Sequence, residues 1–292
     1  MDRFNNCIVC GSANILDLKR YSRAHLCRCN ACSFVFARNK PELKELEFYY
    51  SNYSYNKDYY VSDVTLKRYQ NILKGFEPFR KTNRLLDIGC GNGDFLMAAK
   101  EKGWDCTGVE FSPKAVEICK RKGLSVFEGG LKTVSEQLTE YDIITSFEVI
   151  EHINTPLEEI GLIRKHLRIG GLLYLTTPNF NSLMRKLLGN RYDAIVYPEH
   201  LGYFNPKSLA HLMKVSGLEK IAIKTTGFSF SRFKNGILSR KEDPYTRYSS
   251  DERFRIFMES WVVFQALKSL SDWLFSITGS GLTLKAWFIK KS

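Results

Sequence analysis

The sequence predicts an α/β protein in which a doubly wound, mostly parallel sheet follows a small cysteine-rich domain. Three observations lead to this fold class. Short apolar runs alternate with helical runs from residue 84 onward, a glycine-rich turn follows the first such run, and five of the eight cysteines lie in the first 32 residues. Alternation of strands and helices is typical of parallel sheets, because each crossover helix packs back onto the sheet. A chain of 292 residues can bury one large core and a small appended domain.

The composition and the charge limit the classes of protein to which this chain can belong. Hydrophobic residues make up 44% and charged residues 25% of the chain, which is typical of soluble globular proteins, and no apolar run is long enough to cross a bilayer. No secretory signal follows Met1–Asn6, so we expect a cytoplasmic location. Residues 181–292 hold 18 Lys and Arg against 9 Asp and Glu, within a net charge of +12. Such an excess attracts anionic partners without distinguishing among them.

The first predicted element is a zinc-ribbon-like domain over residues 1–40. Two Cys-x-x-Cys pairs, separated by 18 residues, have the spacing of a zinc site in which each tight turn supplies two thiolates. Four thiolates complete the tetrahedral shell of a structural Zn²⁺ and leave no open coordination position. A disulfide framework is the weaker alternative in a reducing compartment. The expected ligands are Cys7, Cys10, Cys29 and Cys32.

Two spare ligand candidates and a linker follow. His25 and Cys27 lie beside the second pair, but Cys27 has the wrong offset from Cys32, so we expect its thiol to pack or to face solvent. Residues 41–64 predict a Tyr-rich linker, since the stretch from Phe48 to Tyr60 has neither a helical nor a strand period.

The main predicted domain covers residues 65–292 and has a Rossmann-like sheet of seven strands. A helix over Thr65 to Phe79 precedes the sheet, and helical connections begin near Gly93, Pro113, Leu131 and Thr155. The expected strands are Arg84–Ile88, Asp105–Glu110, Ser125–Glu128, Tyr141–Glu148, Gly171–Thr177, Leu218–Thr226 and Leu282–Lys290.

Residues 228–281 depart from the regular alternation, and we expect a helical insertion or lid. Apolar residues at three- and four-residue spacings predict an amphipathic helix that packs on the body of the domain. A helix at a membrane surface is the alternative, although Lys268, Glu259 and Asp272 mix charges on the polar face. The apolar residues are Phe257, Trp261, Phe264, Leu267, Leu270, Leu274 and Ile277.

The most informative segment runs from Leu85 to Phe95, where an apolar strand enters a glycine-rich turn and then a helix. Glycines there let the backbone approach a ligand closely, but a Gly-x-Gly pattern alone also occurs in dinucleotide sites. The spacing Gly89-x-Gly91-x-Gly93 differs from the dinucleotide fingerprint. At the end of the next predicted strand, the Glu110 carboxylate can accept hydrogen bonds from both ribose hydroxyls of an adenosine.

The segment Leu86–Gly93, together with Glu110, resembles the class I S-adenosylmethionine-dependent methyltransferases. The resemblance extends to Phe147–Ile153 and Arg168–Leu173, and covers residues 84–180. It implies S-adenosyl-L-methionine as cofactor, with the glycines at its methionine part, Glu110 at its ribose and residues 128–131 beside its adenine. The expected cofactor-binding residues are Asp87, Gly89, Cys90, Gly91, Gly93, Glu110, Phe111, Gly129, Phe147 and Glu148.

The loop from Tyr197 to Phe204 is the expected acceptor side. Its Tyr-Pro-Glu-His-Leu-Gly-Tyr-Phe sequence is similar to a loop of nucleotide-sugar C-methyltransferases, which also carry an N-terminal zinc domain. That resemblance implies His200 as the catalytic base, with Glu199 and Tyr197 beside it. Those enzymes have a further long C-terminal domain. Short relatives with this loop are often associated with polysaccharide or glycolipid pathways, and many methylate oxygen, so the resemblance also implies a role in polysaccharide biosynthesis. We therefore expect O- or C-methylation of a small hydroxylated acceptor, sugar-like and able to carry negative charge.

Other functions stay open at this point. A zinc domain and a basic charge also suit a ribosomal RNA methyltransferase, although the excess charge lies at the opposite end of the chain from the cysteines and we do not expect a nucleic-acid partner. A quinone-type small-molecule O-methyltransferase is another alternative, and a non-catalytic partner protein is a third. The sequence Ser146–Val149 lacks the Asn-Pro-Pro-Tyr type motif of enzymes that methylate amino groups of bases. Peripheral membrane contact and the oligomeric state stay open.

Overall fold

A computed structural model describes residues 2–41, 61–238 and 262–292 of the chain. Most of the predicted Tyr-rich linker lies outside the described residues. The start of the predicted amphipathic helix, with Phe257 and Trp261, lies outside them as well.

The described residues form strands and helices in the expected alternation. The strands are β1 (Ile15–Asp17), β2 (Leu26–Cys29), β3 (Val35–Ala37), β4 (Arg84–Ile88), β5 (Asp105–Glu110), β6 (Ser125–Glu128), β7 (Tyr141–Phe147), β8 (Leu167–Pro178), β9 (Gly202–Tyr203), β10 (Glu219–Thr226) and β11 (Thr283–Ile289). The helices are α1 (Asp63–Phe76), α2 (Asp94–Glu101), α3 (Pro113–Arg121), α4 (Leu131–Val134), α5 (Pro156–His166), α6 (Leu183–Leu188), α7 (Pro206–Val215), α8 (Phe230–Leu238) and α9 (Val262–Thr278).

Seven strands form the main sheet, in the order β10-β11-β8-β7-β4-β5-β6. The five strands from β8 to β6 are parallel, and β11 runs antiparallel to both of its neighbours. The predicted α/β sheet of seven mostly parallel strands is therefore confirmed. Strand β8 begins four residues before the predicted Gly171, because Leu167 already pairs with Tyr141 ahead of a register shift.

The strand order reverses beside β4. The chain passes from β4 through β5 to β6 on one side and then returns to β7 on the other side of β4. In open α/β sheets, ligands bind in the crevice at the carboxyl ends of the strands where the order reverses. The loops that follow β4 and β7 are therefore the expected place for a site.

Each central strand is buried on both faces. Leu86 of β4 and Ile144 of β7 belong to one buried cluster, whereas Leu85 and Ile143 belong to another. This division follows from the strand geometry, because successive side chains point to opposite faces of a sheet. Helices cover both faces, which is why these strands are near-continuous apolar runs in the sequence.

A second, four-stranded antiparallel sheet has the order β1-β2-β3-β9. Its first three strands come from the cysteine-rich segment, but its fourth, Gly202–Tyr203, comes from the loop after α6. The buried cluster that holds Cys7, Cys29 and Cys32 also holds Phe204 and continues into the main domain. The division of the chain into residues 1–40, 41–64 and 65–292 stays a prediction.

Helix α9 packs beside strand β10. The Asp272 carboxylate accepts a hydrogen bond from the Gly227 N–H at 2.8 Å, and the Thr225 hydroxyl donates to the Phe275 carbonyl at 2.5 Å. Four large apolar side chains of α9 are nevertheless exposed, namely Leu270, Trp273, Leu274 and Ile277. Among the residues that the structure describes, no helix is both long and apolar enough to cross a membrane.

Candidate functional site

The glycine-rich loop leaves β4 at the sheet edge where the strand order reverses. The Gly89 N–H donates to the Val109 carbonyl at 2.7 Å, so the loop is fixed on β5. Gly89 has φ +69°, and a Cβ there would lie 2.4 Å from Val149 Cγ2. Only glycine fits such a position without strain or displacement. The loop after β4 therefore touches the loop after β7 directly.

Glu110 ends β5 beside this loop and is 6% exposed. One carboxylate oxygen accepts the Gly91 N–H and the other accepts the Ser112 N–H, each at 2.9 Å. A carboxylate oxygen has two acceptor positions, so these bonds orient the group without using its full capacity. The predicted ribose-binding role of Glu110 stays a prediction with which this geometry agrees.

Three other predicted cofactor residues lie beneath the loop. Asp87 is buried and accepts the Thr145 hydroxyl at 2.7 Å. Burial raises the pKa of this carboxyl to about 7. The Cys90 thiol is buried and packs onto Gly108, where a Cβ would meet it at 2.7 Å. The Phe147 ring packs edge-to-face against other aromatic rings, those of Phe95 and Tyr174. All three side chains thus have partners inside the protein.

Three other predicted cofactor residues each come directly after a strand of the main sheet, namely Phe111, Gly129 and Glu148. Phe111, directly after Glu110, is 58% exposed, and Gly129 donates its N–H to the Glu110 carbonyl at 2.9 Å. Glu148 follows β7 with an unusual φ of +53° and is exposed. In the glycine loop, the buried Asn92 Oδ1 accepts no hydrogen bond from the described part of the chain. A glycine loop, a carboxylate, an exposed aromatic ring and an unsatisfied acceptor fit an adenosine-bearing cofactor with hydroxyl and amino donors.

A cleft of about 190 Å³ is lined by part of the loop from Tyr197 to Phe204, the predicted acceptor side. Most of its lining is polar and carries carboxylate, imidazole, phenol or guanidinium groups. The lining residues are Glu148, Glu151, His152, Pro178, Tyr192, Ala194, Glu199, His200, Arg232, Leu282 and Thr283. Glu148 adjoins Val149, which contacts Gly89, so the cleft and the glycine loop share one wall.

Two histidines meet at this cleft. His200 Nδ1 lies 2.8 Å from the Ala194 carbonyl oxygen, and His152 Nδ1 lies 2.8 Å from the Glu199 carbonyl oxygen. A carbonyl oxygen only accepts, so each Nδ1 carries a hydrogen and each neutral ring keeps an acceptor lone pair on Nε2. Burial lowers the pKa of both rings, that of His152 to about 4. At neutral pH His200 is therefore an uncharged imidazole, the form that can take up a proton.

Glu151 is buried next to the two histidines. Its Oε2 accepts the Thr177 hydroxyl at 2.9 Å, whereas its Oε1 accepts no hydrogen bond from any described residue. Burial, reinforced by the charge of Glu148, raises the pKa of Glu151 well above its ordinary value. Ligand atoms of Glu151, His152 and His200 lie within 4.8 Å of one another. This donor set would also suit a divalent transition metal.

The structure brings two of the three predicted catalytic residues together. Glu199 and His200 both line the cleft, whereas the Tyr197 ring packs against the His25 ring, with centroids 5.1 Å apart. The peptide bond between Tyr197 and Pro198 is cis.

Four ionisable residues line the cleft without being among the predicted site residues, namely Glu151, His152, Tyr192 and Arg232. Arg232 comes from α8 and forms an ion pair with Asp193. The position of Glu151 and His152 directly after β7, at the reversal of strand order, is the sequence signal that points to them.

The four predicted zinc ligands converge. All four sulfur atoms lie within 4.8 Å of one another, with Cys7 and Cys32 at 3.6 Å and Cys10 and Cys29 at 3.5 Å. A tetrahedral zinc with Zn–S bonds of about 2.3 Å requires S–S distances of roughly 3.8 Å, so the residues fit the metal. The Cys27 thiol lies outside this cluster and donates to the Phe36 carbonyl at 3.5 Å.

Known proteins resemble this chain over part of its length. A ubiquinone biosynthesis O-methyltransferase from Bordetella avium is 30% identical over 154 residues, which are 47% of this chain and 62% of that protein. Another from Aromatoleum aromaticum is 28% identical over 152 residues, which are 47% of this chain and 64% of that protein. The match thus spans less than two thirds of these relatives.

A solved structure of a SAM-dependent methyltransferase from Archaeoglobus fulgidus shares the fold, with a TM-score of 0.52 and 19% identity. The superposition covers 77% of this chain and 94% of that one. The family model for the methyltransferase domain matches residues 60–223. Because that span is more than half of the 292 residues, the chain belongs to the methyltransferase domain family, as the glycine loop and Glu110 predict.

Proposed function

We propose that this protein is an S-adenosylmethionine-dependent O-methyltransferase that acts on a small hydroxylated acceptor. One observation carries the proposal: an uncharged histidine lines a polar cleft that shares a wall with the glycine loop. A donor site and a base for the acceptor therefore lie at the same edge of the sheet. Methyl transfer from an activated donor requires alignment of the two reactants and exclusion of water, together with removal of the acceptor proton.

The donor would lie along the loop after β4. Backbone groups of Gly89 to Gly93 would contact its amino-acid part, Glu110 would accept from its ribose hydroxyls, and Phe111 would contact its adenine. When bound, S-adenosylmethionine supplies a methyl group on a positively charged sulfur.

His200 would act as the base for the acceptor. The Nδ1–H bond to the Ala194 carbonyl fixes the tautomer and the ring plane, so that Nε2 is the nitrogen that takes the hydroxyl proton. Glu151 Oε1, which is buried and has no hydrogen-bond partner among the described residues, would be satisfied by a polar group of the bound acceptor. Glu199 contributes its backbone carbonyl to His152 and its side chain to the cleft wall.

A phenolic hydroxyl is the first candidate acceptor. The relatives at 28–30% identity carry the name of ubiquinone biosynthesis O-methyltransferases. A phenol such as that of tyrosine has a pKa of about 10, which is closer to that of an imidazole than the pKa of an aliphatic alcohol is. An uncharged histidine with a lowered pKa is therefore a better match for a phenol.

A sugar hydroxyl is the second candidate, and the polar lining favours it. Carboxylates, imidazoles and the Arg232 guanidinium surround the cleft, and such groups bind hydroxyl-rich or anionic acceptors better than large apolar ones. The assignment to polysaccharide pathways, and C-methylation as the reaction, rest on the likeness of the loop from Tyr197 to Phe204 alone.

The proposal also includes a metal ion in the cysteine-rich domain and a location in the cell. The four converging thiols would bind one structural zinc ion. A zinc site of four thiolates requires reduced cysteines, which persist in a reducing compartment, so the proposed location is the cytoplasm.

Labelled methyl transfer tests the function. Wild type, His200→Gln and the control His211→Gln are incubated with methyl-labelled S-adenosylmethionine and with catechols, hydroxyquinol precursors, nucleotide sugars, glycan extracts and total RNA. We expect label in a phenol, a fall of about 10²–10⁴-fold in kcat for His200→Gln, and near wild-type activity for His211→Gln, since His211 lies on α7 outside the cleft lining.

Other outcomes correct specific parts of the proposal. Label in a sugar would select the second candidate, and label in RNA would overturn the acceptor class. Full activity of His200→Gln would remove the base assignment. Activity of His200→Gln restored by added Mn²⁺ or Mg²⁺ would instead assign the Glu151 and His152 cluster to a cation.

A further inference from the structure

The cysteine-rich segment and the acceptor loop share one sheet. Strand β3 pairs antiparallel with β9, with Val35 opposite Tyr203 and Phe36 opposite Gly202. Strand β9 begins two residues after His200. The backbone that follows the proposed base is therefore an edge strand of the metal-binding domain.

Leu201, between His200 and β9, is held from two sides. Its carbonyl accepts the Ala37 N–H at 2.8 Å, and its own N–H donates to the Glu151 carbonyl at 2.7 Å. One peptide segment thus connects the cysteine-rich domain with the loop after β7. Any displacement of β3 would reach both sides of the cleft.

Tyr203 fixes His200 by a second contact. Its hydroxyl donates to the His200 carbonyl at 3.1 Å. The Tyr203 side chain is 6% exposed and lies in a buried cluster with Tyr21, Leu26 and Val35 of the cysteine-rich domain. The hydroxyl is therefore positioned by side chains of that domain.

The metal-binding turn packs against the same segment. The Cys29 N–H donates to the Phe34 carbonyl at 2.8 Å, which closes the turn that carries Cys29 and Cys32. The Phe34 ring lies 4.8 Å from the Phe204 ring, centroid to centroid, and both side chains are fully buried. The contact path from the proposed metal ligands to the residue after β9 is thus only two side chains long.

We propose that the cysteine-rich domain is a positioning element of the acceptor site: metal-bound turns hold β3, β3 holds β9, and β9 fixes the backbone of His200. This inference rests on the proposed methyl transfer and extends it. It gives the domain a role in the orientation of the base, and not in nucleic-acid binding. The presence of metal in the cysteine cluster then affects kcat, whereas the affinity for the methyl donor depends on the glycine loop.

Two tyrosine variants form a matched test. Tyr203→Phe removes the bond to the His200 carbonyl, whereas Tyr21→Phe removes a bond of the same domain from Arg185, at 2.8 Å. The two side chains are 6% and 5% exposed and share one cluster. We expect Tyr203→Phe to lower kcat by about three- to tenfold, the effect of one hydrogen bond, with donor affinity unchanged. Tyr21→Phe should leave kcat near wild type.

A spectroscopic signal separates positioning from general weakening. In protein labelled with ¹⁵N-histidine, the His200 Nδ1–H bound to the Ala194 carbonyl gives a protected resonance. We expect this resonance to broaden or to exchange faster in Tyr203→Phe and to stay unchanged in Tyr21→Phe. Equal kcat losses in the two variants, or an unchanged His200 resonance in Tyr203→Phe, would overturn the proposal.

Removal of the metal gives the larger perturbation. The full chain is treated with a zinc chelator, and donor binding is measured by calorimetry beside amide exchange over residues 196–204. We expect unchanged donor affinity, faster exchange of the Leu201 N–H and a kcat at least about tenfold lower, restored by added Zn²⁺. Unchanged exchange and kcat, or loss of donor binding with global unfolding, would contradict a positioning role.

The two proposals fail in different ways. If no acceptor is methylated by wild type, the proposed function fails, but exchange of the Leu201 N–H still reports whether the metal holds the loop. If methylation occurs and the loop does not respond to the metal, only the positioning role fails.

Discussion

The proposed donor side and the proposed acceptor side of the site are built from different kinds of contact. On the donor side, the Gly91 N–H and the Glu110 carboxylate that accepts it are 19 positions apart. On the acceptor side, His152 and Glu199 are 47 positions apart, and Ala37 reaches Leu201 across most of the chain. The contact between the glycine loop and Glu110 thus joins neighbouring parts of the chain, whereas the cleft is lined by residues from 148–152, 178–200, 232 and 282–283. This difference teaches that donor binding and acceptor specificity can change independently.

Gly89 is the place where the two sides touch, so its substitution gives the largest expected loss. In Gly89→Ala the new Cβ would meet Val149 at 2.4 Å on a backbone with φ +69°. We expect a loss of about 2–4 kcal/mol in the free energy of unfolding, from backbone strain and overpacking together, and a loss of donor binding.

Gly123→Ala is the control for that experiment. Gly123 has the same φ of +69°, and its nearest neighbour, Lys100 Nζ, lies 4.0 Å from the added Cβ. We expect Gly123→Ala to lower the free energy of unfolding by about 1 kcal/mol, from the backbone effect alone. Urea unfolding measures the free energy of unfolding of both variants. Equal decreases would show that Gly89 and Val149 are not in tight contact.

Each side also holds one buried carboxyl that accepts a threonine hydroxyl, Asp87 on the donor side and Glu151 on the acceptor side. Burial raises both pKa values, that of Asp87 from 3.8 to about 7. The folded protein then holds protons that the unfolded chain has released, so the free energy of unfolding falls as pH rises, for Asp87 between about pH 4 and pH 7.

Urea unfolding between pH 4 and pH 8 measures this effect. We expect Asp87→Asn to remove a pH-dependent loss of about 4 kcal/mol in the free energy of unfolding. We expect Glu151→Gln to remove a separate loss that begins near the ordinary pKa of that carboxyl, 4.5. Asp105→Asn, at the exposed start of β5, should keep the wild-type slope. A wild-type slope in Asp87→Asn would show that this carboxyl is already ionised in the folded state.

The smallest expected effect tests the independence of the two sides. Glu110→Gln keeps the shape of the side chain but loses its charge. We expect donor affinity to fall by about 10–100-fold, since hydrogen bonds to charged groups contribute about 1.5–3 kcal/mol, and kcat at saturating donor to stay near wild type. His200→Gln should show the reverse pattern. Similar effects of both variants on kcat and on donor affinity would contradict the separation of the sides.

The structure around the glycine loop could be predicted from the sequence better than the structure around the cleft. The bounds of β4, β5 and β6 are those predicted, because short apolar runs and the glycine turn after β4 are local signals. The strand Gly202–Tyr203 was not predicted, since two residues have no period of their own and only the pairing with β3 defines them. His152 was not among the predicted site residues, because its contact with His200, 4.8 Å away between ring centroids, joins segments that are distant in the sequence.

The pairing of β3 with β9 has a consequence for synthesis of the chain. The ribosome completes the cysteine-rich segment some 160 residues before it adds Gly202 and Tyr203, so the edge of β3 stays open through most of translation. Open strand edges pair with other chains. During that interval a bound metal ion would be the main constraint that keeps the nascent hairpin compact, and zinc supply in the cell would then affect the yield of folded enzyme.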